Sequence, residues 1–158
     1  MPKPDSLDGS TALKRGSAMR RAVLGDRHVD AAIARTENTE SVHLQQFVTE
    51  HVWSAIWTRP QLDPRSRSLL TIGILTALRA HDELAAHVRG ALTNGLTREE
   101  ITEAVIHAAG YCGAPAALAA MRIVQQTFDT PFSTVEYRLA TTNSESTQHS
   151  VGPLERTD

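Results

Sequence analysis

Glu83 and His87 stand four residues apart in the run Arg79-Ala80-His81-Asp82-Glu83-Leu84-Ala85-Ala86-His87-Val88-Arg89. On a helix that spacing puts both side chains on one face. A carboxylate there can hydrogen-bond the imidazole, hold its tautomer and raise its pKa, giving a proton donor or acceptor near neutral pH. Spacing alone favours the plainer reading, a solvated surface pair. A metal site is weaker still, because Glu-x-x-x-His supplies two ligands and no second pair stands at a matching spacing.

Other residues suit an anion. Arg65 and Arg67 fall in the first turn of a helix opened by Pro64, where their charge adds to exposed backbone N–H groups. Taken alone they are ordinary surface arginines, and Arg20 and Arg21 form a weaker version of the same pattern. Trp53 and Trp57 sit one helical turn apart and are expected in the core or an interface, with a pocket wall as the lesser alternative. The single cysteine, Cys112, excludes an intrachain disulfide, a Cys-x-x-Cys redox pair and a Cys-rich zinc site. It is expected to be a small buried apolar residue. His107, among Ile106, Ala108 and Ala109, reads as packing.

The elements that must position these residues are all helical. Met19 to Leu24 reads as a short helix stopped by Gly25, and Asp26 can cap a second one carrying Val29, Ala32 and Ile33. Ser41 opens a longer helix through Phe47, Val52 and Ile56 that ends before Thr58-Arg59-Pro60. Asp63-Pro64 is a cap followed by proline at the first helical position. The helix it starts is apolar nearly all round from Leu69 to Leu78, which predicts burial on several sides, other subunits included. The next helix runs from about His81 to Thr93 and ends at Asn94-Gly95. Thr97-Arg98-Glu99-Glu100 is a capping box, and Pro115 opens a last helix. No alternating strand-like run occurs.

The chain has 158 residues, 16 basic against 18 acidic, and a formal net charge of −2, which argues against nucleic-acid binding. Only Lys3 and Lys14 among the basic residues are lysine; the arginine excess reflects coding bias or bidentate carboxylate recognition. No signal-peptide pattern or run of 18 apolar residues is present, so a cytoplasmic protein without a membrane span is expected. Composition divides the chain into a disordered arm (1–16), a helical domain (17–137) and a flexible polar tail (138–158).

Taken together, these segments resemble the carboxymuconolactone decarboxylase family. The resemblance covers about Gly16 to Phe128. It rests on Arg20-Arg21-Ala22-Val23-Leu24-Gly25-Asp26-Arg27-His28-Val29-Asp30, His51-Val52-Trp53-Ser54-Ala55-Ile56-Trp57-Thr58-Arg59-Pro60 and Arg65-Ser66-Arg67-Ser68-Leu69. It continues through Glu83-Leu84-Ala85-Ala86-His87-Val88-Arg89-Gly90-Ala91, Asn94-Gly95-Leu96-Thr97 and Tyr111-Cys112-Gly113-Ala114-Pro115-Ala116-Ala117. The wider superfamily includes alkylhydroperoxidase-type enzymes with a Cys-x-x-Cys-x-x-x-His motif. Aligned on His87, this chain has Ala80 and Glu83 at the cysteine positions, and Ser68 where those peroxidases carry a glutamate.

The resemblance implies a compact, alkylhydroperoxidase-like all-α bundle of about six helices that assembles as a homo-oligomer, a hexamer or trimer. It implies decarboxylation of 4-carboxymuconolactone, a lactone dicarboxylate, to 3-oxoadipate enol-lactone in protocatechuate catabolism, with neither metal nor organic cofactor. In that scheme His87 donates the proton and Glu83 orients it and keeps it charged. Arg65 and Arg67 bind carboxylates, Ser68 adds a hydrogen bond and Trp57 forms a wall. The alternatives are a thiol peroxidase using Cys112, another lactone lyase or isomerase, and a non-catalytic helical assembly domain.

Overall fold

The computed structural model describes residues 9–130, and every regular element among them is helical. In chain order these are α1 (Gly9–Leu24), α2 (Asp26–Thr36), α3 (Ser41–Val48), a π-helical segment (Thr49–Ser54), α4 (Pro64–Leu78), α5 (His81–Thr93), α6 (Arg98–Cys112) and α7 (Ala114–Asp129). The chain is thus all-α, with seven α-helices among the described residues. The tail expected from residue 138 lies outside them.

Local chemistry sets most boundaries as the sequence predicts. Asp63 caps α4, accepting from the Ser66 backbone N–H at 2.9 Å, with Pro64 following. Thr97 and Glu100 form the reciprocal capping box of α6, with bonds of 3.2 and 2.8 Å to each other's backbone N–H. Gly95, at φ 87°, takes the left-handed turn after α5. Gly25, at φ 85°, caps α2 in place of the expected Asp26. The Asp26 carboxylate instead accepts from Arg21 at 3.1 Å.

Two elements depart from expectation. Helix α1 begins at Gly9, ten residues before Met19, so residues 9–16 are helical where composition suggests a disordered arm. Tertiary packing provides the reason. A Cβ on Gly16 would lie 2.0 Å from the Thr49 carbonyl oxygen, so α1 and the π-helical segment touch backbone to backbone. The single helix expected from Ser41 and ending before Thr58 is α3 followed by the wider π turn, after which Trp57 N–H reaches back to Val52 C=O at 3.0 Å. Arg15 closes its far end, donating to Ser54 Oγ at 3.1 Å and Ser54 C=O at 3.3 Å.

Helix α5 divides the interior. On one side Leu84, Val88 and Ala91 join Ile72, Leu96, Ile101, Val105, Ala117, Ala120 and Val124 in an aliphatic core with α4, α6 and α7. On the other, Ala86 joins Val23, Leu24, Val29, Trp53 and Trp57. Gly90 lets α1 approach: a Cβ there would stand 3.0 Å from the Val23 carbonyl oxygen. The apolar helix α4 buries Ser68, Ile72 and Thr76 but leaves Leu70 58% and Leu78 70% exposed in the single chain. Among the described residues no helix is long and apolar enough to cross a membrane.

Candidate functional site

Helix α5 carries His87 into the N-terminal side of the molecule. One turn of π-helix brings two indoles to meet it. Trp53 and Trp57 stack with ring centroids 5.0 Å apart; His87 lies 6.0 Å from Trp53, at an interplanar angle of 1°, and 6.1 Å from Trp57. Both indoles are buried. The imidazole is therefore held in an aromatic cradle with little water around it, and burial disfavours its charged form.

Burial pushes the His87 pKa down to about 4, and the neighbouring charge of His28 adds to the effect. This corrects the expectation that Glu83 keeps His87 protonated. Glu83 is exposed, and among the described residues burial and His28, not Glu83, act on the His87 ring. The two share a helix face, but the indoles, not the carboxylate, surround the ring. His87 is neutral at pH 7 in the unliganded chain.

A positively charged tier adjoins the cradle. His28, half-buried on α2, is lowered by burial and then by the charges of Arg89, Arg20 and Arg35. Arg20 on α1 is only 8% exposed and donates to Gln45 Oε1 at 2.8 Å. Arg21 is occupied by Asp26 and Asp30, at 3.1 and 2.6 Å. Helices α1, α2 and α3 enclose a cleft of about 300 Å³ lined by Arg20, Ser17, Val29, Gln45 and Thr49, among others.

The other expected site residues are engaged elsewhere. Arg65 forms an exposed ion pair with Glu100 on α6. Arg67 pins the preceding loop, donating to Leu62 C=O at 3.0 Å and Arg59 C=O at 2.7 Å. Ser68 is buried and accepts from Asn94 Nδ2 at 2.9 Å, tying the start of α4 to the end of α5. None of these bonds reaches His87 or the tryptophans, whereas Trp57 and His87 are brought together as expected.

Two participants were not singled out by spacing. Spacing places Trp53 in the core or an interface before a pocket wall and carries no signal for His28, although both lie in the segments that carry the family resemblance. A larger apolar groove of about 690 Å³ runs between α4 and α6, lined by Leu70, Ile74, Ala104, His107, Tyr111 and Cys112. It shares no residue with the His87 cradle. His107 is exposed there, against Tyr111, and Cys112 is only half-buried. Among the described residues no three metal-ligating side chains cluster.

Comparison with known proteins places this arrangement. The sequence profile of the carboxymuconolactone decarboxylase family matches residues 43–126, which include both tryptophans and His87. The nitrosuccinic acid decarboxylase of Metarhizium robertsii is 42% identical over 123 residues, covering 78% of this chain and 85% of that protein. The 4-carboxymuconolactone decarboxylase of Acinetobacter baylyi is 37% identical over 115 residues, covering 73% of this chain and 85% of its own. With half the chain matched by the family profile and most of it aligned to both relatives, the protein belongs to the carboxymuconolactone decarboxylase family.

Proposed function

We propose that this protein decarboxylates a small dianionic acid whose departing carboxylate sits beside an electron sink, and that the acid is 4-carboxymuconolactone. The observation that carries this reading is His87 seated against the stacked pair Trp53 and Trp57, with the charge of His28 bearing on it. An apolar wall strips water from the departing carboxylate, and the neutral CO2 it becomes needs little solvation. The electron pair left behind passes through the ring double bond toward the lactone carbonyl. A proton then arrives at a ring carbon, giving 3-oxoadipate enol-lactone. Each turnover converts one dianion and one proton into CO2 and a monoanion. The lactone is itself the electron sink, so the chemistry requires neither metal nor organic cofactor.

His87 delivers the proton. Substrate carboxylates beside the imidazole oppose the effect of burial, so the ring takes up a proton as the dianion binds. Glu83 stands one turn away at the solvent edge, where it can pass protons to the site. Because Arg65, Arg67 and Ser68 have structural partners, carboxylate binding moves in this proposal to the positive tier around His28.

A second reading replaces the lactone by nitrosuccinate, and the 42% identity to the Metarhizium enzyme favours it. Both acids contain a succinate skeleton. The carbon losing CO2 carries the electron-withdrawing group, and the adjacent methylene carries a carboxylate that is retained. Separate incubation of the purified protein with each acid, measuring CO2 and the organic product, decides between them. Turnover of the lactone with loss of its absorbance supports the first reading. Turnover of nitrosuccinate alone supports the second, and CO2 from neither overturns both.

The exposed apolar side chains of α4, with Ile106 and Tyr111 on α6, also support self-association, as a hexamer or trimer. Light scattering on the purified chain tests this, and a monomer at micromolar concentration removes it.

A further inference from the structure

Among the described residues Arg20 is a buried cation with no carboxylate partner. Its residue is 8% exposed, and its one hydrogen bond among the described residues goes to a neutral acceptor, Gln45 Oε1, at 2.8 Å. Its Nε is buried and has no partner among the described residues. A guanidinium offers five N–H donors and is strongly disfavoured in the interior unless an anion compensates it. The next residue shows how the fold treats an arginine it needs for structure: Arg21 has two aspartates, at 3.1 and 2.6 Å. The two charges that bear on its pKa, those of Arg21 and Arg35, are both positive. Burial lowers its pKa first, followed by Arg21 and Arg35.

The side chain lines the cleft of about 300 Å³ between α1, α2 and α3. That volume suits a short carboxylate-bearing arm better than a bulky ligand. The charge of Arg20 also reaches His28, which in turn bears on His87. Val29 lines this cleft and packs in the same buried cluster as Trp53 and Trp57, so the cleft that holds the Arg20 guanidinium adjoins the aromatic cradle. We infer that Arg20 binds the carboxylate that the substrate retains, anchoring a succinate-type acid with its other carboxylate toward His87. This rests on the decarboxylase reading for the identity of the acid, but not for the existence of the anion site. Glu37 also lines the cleft.

The test uses succinate, which has both carboxylates and no electron sink, and its monoamide succinamate, which has one. Trp53 and Trp57 are the only tryptophans in the chain, so their fluorescence reports the cradle directly. The wild-type protein is expected to bind succinate more tightly than succinamate at fixed ionic strength. Arg20→Gln should weaken succinate roughly 30-fold or more and erase the discrimination, with Arg20→Lys recovering part of it. In turnover, Arg20→Gln should raise KM far more than it lowers kcat. A purely structural role predicts a lower melting temperature with unchanged discrimination by the folded protein, and that result overturns the inference, as does a wild type that ignores succinate at millimolar concentration. Should Arg20→Gln fail to fold, the Arg20 Nε–H resonance of the wild type decides. It must shift on succinate titration, and a stationary resonance while the tryptophans report binding sinks the proposal. A protein that binds succinate through Arg20 yet releases CO2 from neither candidate acid loses the decarboxylase reading and keeps this site.

Discussion

The two faces of α5 have been put to opposite uses. Leu84, Val88 and Ala91 on one face are fully buried in a core in which every buried member is Ile, Leu, Val or Ala. His87 and Gly90 on the other meet indoles, a close-packed backbone and a tier of cations. The first face has what a scaffold requires: shape-filling side chains and no group whose charge can change. The second accepts a buried arginine and a histidine forced neutral, arrangements that cost stability and are kept where a ligand can compensate them. One helix thereby couples the rigidity of α4, α6 and α7 to the chemistry on the α1–α2 side.

The sharpest way to break that comparison is to cut each face in turn. His87→Ala is expected to lower kcat by about 10²–10⁴-fold, the range for a lost proton donor, with a modest change in melting temperature. Leu84→Ala, three residues away on the adjoining face that enters the aliphatic core, should cost about 2–5 kcal/mol of stability while the folded fraction keeps its kcat. Denaturant unfolding and steady-state kinetics on both variants check the pair. A large stability loss from His87→Ala with normal turnover would reverse the roles assigned to the two faces.

A second contrast is in pH. The His87 imidazole titrates near 4 when folded, against about 6.5 when exposed. Between those values the unfolded chain binds a proton that the folded chain refuses, so stability falls as pH drops from about 6.5 to 4. His87 alone contributes about 3 kcal/mol to that loss, and His28, also lowered, acts with the same sign. Unfolding midpoints at pH 7.5 and 4.5 should differ markedly less in His87→Gln than in the wild type. Equal differences would mean that the cradle does not hold the ring neutral.

The close contact between the two sides gives a smaller effect. Gly90→Ala drives a Cβ to 3.0 Å from the Val23 carbonyl and should cost about 1–3 kcal/mol, with α1 displaced. Its signature is a change in tryptophan fluorescence along with the lower midpoint. The smallest effect belongs to the scaffold's edges: Thr97→Ala removes the hydroxyl of the α6 capping box and should cost about 1 kcal/mol without altering kcat.

What the sequence reveals of this molecule follows the range of each interaction. Asp63-Pro64, Thr97 with Glu100, and Gly95 act within one turn of themselves, so the residues alone locate the ends of α4, α5 and α6. The start of α1 depends on Gly16 meeting Thr49, which no local pattern encodes. The site divides the same way. Four-residue spacing correctly puts Glu83 and His87 on one helix face, but it cannot say what covers that face. Here the cover is Trp53 and Trp57, and it moves the imidazole's pKa in the opposite direction from the one the carboxylate suggests. Arg65 and Arg67 show the limit from the other side. Their position at a helix start is visible in the sequence, whereas the Glu100 carboxylate and the loop carbonyls that occupy them are not.

The wide turn at Thr49–Ser54 has a consequence for how this chain tolerates insertions and deletions. A π turn holds more residues per revolution than an α turn, so the segment stores surplus chain within a continuous helical axis. Removing one residue there would let the helix tighten while swinging everything after it by roughly a quarter turn or more. The two indoles would rotate off His87 although no side chain near the imidazole had been altered. A length change in this stretch is therefore a change of active-site content, and family members differing by one residue here are expected to differ in what they bind.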